Sequence, residues 1–179
     1  MAFGELLRSP LACVVFFMAA SASAQGYGPW SFGMTREEVR AVAAHGPYYD
    51  FKNLDIGTQQ GPFEGGVVPT SFYFLNDKVE RVMLMLYRGN DSAAAERAWQ
   101  AAYSHLQKTF GGVELPASGL PAATREDAAE ALRASNLLVT KVGKLQMGVS
   151  PAPKDRLVWC SLTRNEEGLL MVALNYAKP

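Results

Sequence analysis

The sequence predicts an α+β fold in which helices pack on one face of one or more antiparallel sheets. Three observations predict it: helix starts with capping residues, two β-rich runs joined by a tight turn, and three further β-rich runs that finish the chain. The element order can also be divided into two tandem units, each with a helix and three strands.

The first helix is expected to begin at Thr35. Thr35 and Glu38 have the spacing of a capping box, in which each side chain accepts a hydrogen bond from the other residue's backbone N–H. Apolar residues then follow at helical spacing up to Gly46-Pro47, where the chain is expected to leave the helix after about three turns.

Capping residues predict two further helices. Asp91 or Ser92 caps the second, which ends at Gly111-Gly112, and Thr124 caps the third, which spans residues 125–134. The second helix carries an apolar stripe that should lie on a sheet, formed by Ala95, Trp99, Ala102, Leu106 and Phe110.

A hairpin is the clearest β signal. Residues 67–75 and 78–87 are rich in β-forming side chains, and Asn76-Asp77 between them tolerates the positive φ of a two-residue turn. Strict alternation then predicts one face with Phe72, Phe74, Val79, Met83, Met85 and Tyr87, and another with Tyr73, Leu75, Val82, Leu84 and Leu86.

The remaining segments are assigned by composition. Residues 48–54 are expected to form a strand, residues 57–66 a Gly-rich loop, and residues 113–123 a connector. Three strands are expected to finish the chain, over residues 137–149, 156–163 and 169–176.

An offset of 89 residues relates several of these features. It superimposes Thr35 on Thr124, Asn76 on Asn165 and Tyr87 on Tyr176. Two pseudo-repeats, 31–112 and 113–179, would produce such an offset. Helix caps and turns favour the same residue types in any protein, so local convergence is the equal alternative.

The first 24 residues are typical of a cleaved export signal. Arg8 precedes an apolar stretch over residues 11–20, which is too short to cross a bilayer, and Ala22-Ser23-Ala24 is a small-x-small cleavage site. The sequence thus predicts a single domain over residues 25–179, located in the periplasm or, alternatively, secreted, with no transmembrane segment after cleavage.

Charge and cysteine content exclude several classes of function. The chain has 17 Lys and Arg against 17 Asp and Glu and no basic run, which argues against a nucleic-acid partner. Of the two cysteines, Cys13 lies in the predicted leader, so an internal disulfide is not expected. Cys160 lies in a β-rich run and is expected to be buried.

We identify no catalytic, cofactor-binding or metal-binding residues in the sequence. His45 and His105 lack metal-ligand spacing, and no nucleophile elbow, zinc-protease or phosphate-loop motif occurs. His45 is expected to lie at a helix end, and His105 at the boundary of the second helix. Enzymatic activity is therefore not the expectation.

The strands carry an unusual supply of methionine and aromatic side chains. Such residues are commonly buried in a core, but they also contribute much of the energy of protein interfaces. Because both faces of the hairpin are too apolar for open water, we expect one face to meet helices and the other to meet another part of the chain or a partner. The candidate partner-binding residues are Met83, Met85, Tyr87, Trp159 and Met171.

The segment Gly33-Met34-Thr35-Arg36-Glu37-Glu38-Val39 resembles the helix start of the SmpA/OmlA family of small envelope proteins and of the related beta-lactamase-inhibitor-protein-like domains. The resemblance implies helices paired with an antiparallel sheet and, for the inhibitor members, two units whose joined sheet presents a concave binding face. No binding residue of the family is carried over by a matching motif.

The expected function is a non-enzymatic exported protein-binding module of the bacterial envelope: an inhibitor, an immunity protein or an assembly accessory. Its partner would be another envelope or secreted protein. A hydrolase or small-ligand-binding protein is the alternative, with a site near His45, Tyr48, Tyr49 and Asp50 and residues 57–66 as a lid. A homodimer that buries the extra apolar face against itself is the third.

Overall fold

The computed structural model describes residues 25–115 and 120–179. In these residues the chain forms an α+β fold, which confirms the predicted class. The helices are α1 (Arg36–Arg40), α2 (Ser92–Phe110) and α3 (Arg125–Ala134), with a short 3-10 helix at Ala43–His45. The strands are β1 (Tyr48–Asp50), β2 (Ile56–Phe63), β3 (Gly66–Leu75), β4 (Lys78–Gly89), β5 (Val113–Leu115), β6 (Leu120–Pro121), β7 (Gly143–Val149), β8 (Leu157–Arg164) and β9 (Leu170–Ala177). The predicted leader and residues 116–119 lie outside the described residues.

The nine strands of the described residues form one antiparallel sheet in the order β1-β2-β3-β4-β9-β8-β7-β5-β6. Consecutive strands β2, β3 and β4 form one meander, and β7, β8 and β9 form another. The two meanders meet where β4 pairs with β9. The last strands of the chain therefore join the first sheet and do not form a second one.

Helix α2 covers the middle of the sheet, as its apolar stripe predicts. It packs against β4, β9, β8, β7 and β5. The Asp91 carboxylate caps its start by accepting hydrogen bonds from the N–H groups of Ala93 and Ala94, and Gly111 ends it with a φ of +86°. The side chains that α2 buries are Ala95, Trp99, Ala102, Tyr103 and Leu106.

Helix α3 packs against α2. Its predicted capping box between Thr124 and Asp127 is present. The indole Nε1 of Trp99 donates a buried hydrogen bond of 2.8 Å to the carbonyl oxygen of Ala128, which ties the two helices together. Cys160 is buried beneath this layer, as expected, and burial raises the pKa of its thiol.

The first helix begins as predicted and ends sooner. The capping box of Thr35 and Glu38 is present, but α1 ends at Arg40 and a 3-10 turn follows. Val39 is the buried residue of α1, so a short helix has little apolar surface to extend it. Gly46 has a φ of −79°, so it leaves the helix in an extended conformation and not in the left-handed one.

The hairpin of β3 and β4 has the predicted two-residue turn, with positive φ at Asn76 and Asp77, but the predicted faces are wrong. A bulge adds one residue to β4 between Val79 and Arg81. One extra residue exchanges the two faces beyond it. Core-side Phe72 therefore pairs with Val82.

The predicted loop at residues 57–66 is instead strand β2 and its turn into β3. Two of its glycines, Gly57 and Gly61, allow close packing of neighbouring side chains, whereas Gly65 adopts a positive φ in the turn. The ring of Tyr49 lies where a Cβ on Gly57 would be, and the side chain of Thr70 lies where a Cβ on Gly61 would be.

Three other segments are corrected. The strand predicted at 48–54 ends at Asp50, and the predicted connector contains the short strands β5 and β6. The strand predicted from Leu137 begins at Gly143, because Asn136 adopts a φ of +59° after α3 and its carbonyl accepts from the N–H groups of Val139, Thr140 and Lys141.

The bond between α2 and α3 gives a stability prediction. Trp99→Phe keeps an aromatic ring but removes the donor to Ala128, so we expect a loss of about 1–3 kcal/mol in the free energy of unfolding, measured by urea denaturation. Arg97→Ala, at an exposed position of the same helix, is the control and should change it by less than about 0.5 kcal/mol. Equal effects of the two substitutions would contradict the assignment.

Candidate functional site

The sheet face opposite α2 is the first candidate site, and we call it the outer face. His105 of α2 contacts Tyr176, which places even-numbered residues of β9 on the α2 side and odd-numbered ones on the outer face. One registered row of the outer face crosses seven strands, through Tyr49, Gly57, Ser71, Met83, Asn175, Trp159 and Gly148.

Four of the five predicted partner-binding residues share this face. Met83 and Trp159 flank Asn175 in the row, Met85 pairs with Ala173 in the next row, and Met171 pairs with Thr163 beyond it. All four side chains are half-buried.

Tyr87 does not join this group. A second bulge between Met85 and Tyr87 turns Tyr87 to the α2 side, where it pairs with the fully buried Val172. Its hydroxyl accepts a hydrogen bond of 2.7 Å from the N–H of Asp91 at the start of α2. This contact gives Tyr87 a structural role.

Small residues separate the large ones on the outer face. Ala173 and Ser161 pair with each other between the methionines and Trp159, and Gly148 lies directly beside Trp159. Small side chains let another backbone approach a sheet closely, while methionine and tryptophan supply contact area.

The charged groups of the outer face are mainly basic. The guanidinium carbon of Arg81 lies 3.8 Å from the centroid of the Tyr73 ring. Lys144 pairs with Thr163 and Arg88 pairs with Met171, and both basic side chains are exposed. Glu114, beside Gly148, carries the opposing charge. A complementary surface would therefore carry acidic groups around an apolar centre.

A second candidate site surrounds His105, on the α2 side of the sheet. His105 Nδ1 lies 2.6 Å from Glu64 Oε1, and its Nε2 lies 2.8 Å from the Tyr176 hydroxyl. A carboxylate only accepts, so Nδ1 carries a proton, and the hydrogen bond at Nε2 joins the ring to the Tyr176 hydroxyl. Lys108 adds a bond to Glu64 at 3.2 Å.

Neither tyrosine of this site is activated as a nucleophile. Burial raises the pKa of Tyr27 to about 12 and also raises that of Tyr176, so both hydroxyls remain protonated. Their rings lie 4.6 Å apart, and the Tyr27 hydroxyl donates to the carbonyl oxygen of Pro62 at 2.5 Å. The network orders the turn between β2 and β3 against the end of α2.

Two pockets open on either side of Tyr27. One, of about 410 Å³, is lined by Gly26, Tyr27, Gly28, His105, Thr109, Phe110, Pro153, Arg156 and Tyr176. The other, of about 460 Å³, lies over the turn between β2 and β3. The first adjoins the His105 network.

The second site, around His105, could not be identified from the sequence alone. His105 was expected to be a boundary residue of the second helix, and it does lie beside the buried stripe of α2. Its partners Glu64 and Tyr176 are 41 and 71 residues away. Since the contacts form only when β2 and β9 are placed in the sheet, no local spacing reveals them.

The four side chains proposed for the hydrolase alternative do not come together in one site. His45 Nδ1 lies 2.8 Å from the carbonyl oxygen of Gln60, while the Tyr48 hydroxyl donates to Val42. Tyr49 is on the outer face, and Asp50 pairs with Arg40 on the surface. With residues 56–63 in a strand, no lid covers these side chains.

The described part of the chain presents neither a candidate metal site nor a membrane-spanning helix. No group of three or more His, Cys, Asp and Glu side chains in residues 25–115 and 120–179 is placed to hold a metal ion. Among the helices of the same residues, none has the length and apolar character required to cross a membrane.

No protein-family model matches the chain, and neither a curated protein nor a solved structure matches it. Function must therefore be inferred from the geometry of the chain itself.

The Glu64–His105 contact gives a pH prediction. The His105 and Lys108 bonds lower the pKa of Glu64 from its ordinary value of 4.5. The resulting stabilisation is present above pH 4.5 and is lost as the pH falls through the lower pKa of the folded state. Glu64→Gln should therefore destabilise the protein more at about pH 6 than at about pH 3, measured by urea denaturation.

Glu130→Gln is the matched control, because Glu130 is exposed on α3 and has no ion pair among the described residues. Its effect should be small at both pH values. A Glu64→Gln effect that is the same at both would show that the carboxylate charge does not contribute.

Proposed function

We propose that this chain is a non-enzymatic exported module of the bacterial envelope that binds another protein through its outer face. The observation that supports this most directly is the grouping of Met83, Met85, Trp159 and Met171, all half-buried, on one sheet face, while α2 packs on the other. A face of this composition is typical of protein interfaces.

The partner's surface is best described by what the outer face offers. Trp159 and the methionines require an apolar centre, and the small residues between them allow close approach. Arg81, Lys144 and Arg88 favour an acidic rim. Such a surface would suit an inhibitor or immunity protein that covers an acidic cleft, or an accessory protein of envelope assembly.

The compartment follows from the leader expected in residues 1–24. Cleavage after Ala24 would release the protein into the periplasm, or allow secretion. The resemblance of Gly33–Val39 to the SmpA/OmlA and inhibitor-like domains supports the same setting, and its implied joined sheet is compatible with the meeting of β4 and β9.

We further propose that all helices share the α2 side and that the chain contains two tandem units, a helix with β2–β4 and a helix with β7–β9. Capping boxes at Thr35 and Thr124 support this arrangement. Residues related by the offset of 89 do not always lie on the same face of the sheet. Tyr87 and Tyr176 both lie on the α2 side. Leu84 lies on the α2 side but Ala173 lies on the outer face, because β4 has an extra residue at Leu86. Repeats would therefore have diverged at that bulge.

Site-specific photo-crosslinking tests the proposed interface. A photoreactive phenylalanine analogue at Met83 or Met171 should crosslink one and the same protein in envelope extract, and Trp159→Ala should reduce its yield by about tenfold, as expected for a hot-spot residue. The same analogue at Val139, which is 69% exposed in the turn before β7, is the control and should not capture that protein.

The same experiment distinguishes binding of a different protein from formation of a homodimer. If the crosslinked product from Met83 is a second copy of this chain, and sedimentation at dilute concentration shows a dimer, the outer face serves self-association. If outer-face positions and Val139 capture the same mixture, the outer face is not a specific binding surface and the proposal is wrong.

A further inference from the structure

One end of the sheet carries a group of exposed apolar side chains that is separate from the outer face. We call it the tip, and it consists of residues 51–55, between β1 and β2, and residues 75–78, around the turn between β3 and β4. Phe51, Leu54 and Leu75 are 38%, 68% and 61% exposed there. None of these three side chains lines either of the two pockets beside Tyr27, so the tip is a projection and not a groove.

Arg36, at the start of α1, joins the two turns of the tip. Its Nε donates to the carbonyl oxygen of Leu54 at 2.9 Å, and its Nη1 bonds the carboxylate of Asp77. Its guanidinium carbon lies 4.6 Å from the centroid of the Phe74 ring. Asp55 Oδ1 also accepts a hydrogen bond of 3.2 Å from the N–H of Phe74. The two turns are therefore held together as one surface.

Leu54 has an unfavourable conformation as well as an exposed side chain. Its φ is +67°, in the left-handed region that favours glycine and asparagine and costs a leucine free energy. Its N–H donates to the carbonyl oxygen of Phe51 at 3.1 Å, so the turn is closed in this conformation. A contact that buries the Leu54 side chain would recover the free energy of its exposed apolar surface.

The unpaired charges of the tip are positive. Lys52 and Lys78 are exposed, and neither has an ion pair among the described residues. The carboxylates nearby are already neutralised or buried, because Asp50 and Asp77 pair with arginines and Asp55 is buried. An anionic surface would therefore be attracted to this end of the sheet.

This combination fits a lipid bilayer better than a protein. A specific protein interface buries about 800 Å² on each partner, and three side chains on two turns supply much less. A bilayer closes around single projecting side chains, while the long stems of flanking lysines let their ammonium groups stay at the phosphates. The charge of the two lysines selects anionic lipids.

We propose that the tip docks the protein on a membrane surface that contains anionic lipids. Phe51, Leu54 and Leu75 enter the apolar boundary of the bilayer, and Lys52 and Lys78 contact the lipid phosphates. Because the tip lies at the end of the strands, the outer face remains accessible to a protein partner when the tip is docked.

Cosedimentation of the purified protein with vesicles tests this docking. Vesicles of equal parts phosphatidylcholine and phosphatidylglycerol should bind it with a Kd of about 1 mM accessible lipid or lower. Vesicles of phosphatidylcholine alone should bind it about tenfold more weakly, since each lysine near an anionic surface contributes roughly a fivefold gain in affinity.

Two variants locate the binding at the tip. Leu54→Asn should weaken binding to the phosphatidylglycerol vesicles about fivefold, because it removes the inserted apolar side chain. Asparagine tolerates a positive φ, so the free energy of unfolding of this variant should stay the same or rise. Lys52→Gln combined with Lys78→Gln should abolish the preference for phosphatidylglycerol and leave binding to phosphatidylcholine unchanged.

The matched controls lie at the opposite end of the sheet, in the turn before β7. Val139 is 69% exposed and Lys141 is also exposed. Val139→Asn and Lys141→Gln remove the same kinds of side chain from the same kind of position, and neither should change vesicle binding.

Absence of binding at about 10 mM lipid would overturn the proposal. Equal affinity for the two vesicle types would overturn the assignment to anionic lipids, and controls that weaken binding as much as the tip variants would refute the site. If a photoreactive analogue at Leu54 captures one protein from envelope extract while vesicles do not bind, the tip serves a protein partner and the proposal is wrong. The vesicle measurements contain no second protein, so they do not depend on whether the outer face binds one.

Discussion

The pairing of β4 with β9 is the contact on which the rest of the molecule depends. These are the last strands of two meanders, and their hydrogen bonds convert two small sheets into one. Only a joined sheet is wide enough to support α2, which contacts strands from both meanders. The same pairing brings Met83 and Met85 of β4 beside residues of β9, and thus creates the continuous outer face.

The bulges of β4 decide which side chains reach that face. Alternation along a strand is strict, so each extra residue exchanges the faces beyond it. The bulge after Val79 turns Val82 and Leu84 into the core, and the bulge before Tyr87 sends Tyr87 to the start of α2. The one residue inserted at Leu86 thus separates Met85, an interface candidate, from Tyr87, which has a structural role.

The sequence could predict what depends on local chemistry. Thr35, Asp91 and Thr124 cap helices because their side chains satisfy N–H groups only a few residues away, and Asn76-Asp77 forms its turn from its own backbone preferences. Strand β2 could not be predicted, because its glycines favour a loop in the sequence but pack against Tyr49 and Thr70 only once the neighbouring strands have paired. The Glu64–His105–Tyr176 network could not be predicted for the same reason.

The hydrogen bonds of His45 to Gln60 and of Tyr27 to Pro62 also restrict how the protein can associate. Strand β1 pairs with β2 only at residues 56–58, which leaves the rest of that edge without a neighbouring strand among the described residues. There the two side chains occupy carbonyl oxygens that an added strand would use, and Pro62 has no N–H to donate. Sheet extension is therefore blocked along this stretch of β2, and a protein that binds here cannot do so by adding a strand. The same contacts protect this stretch of the edge against edge-to-edge aggregation.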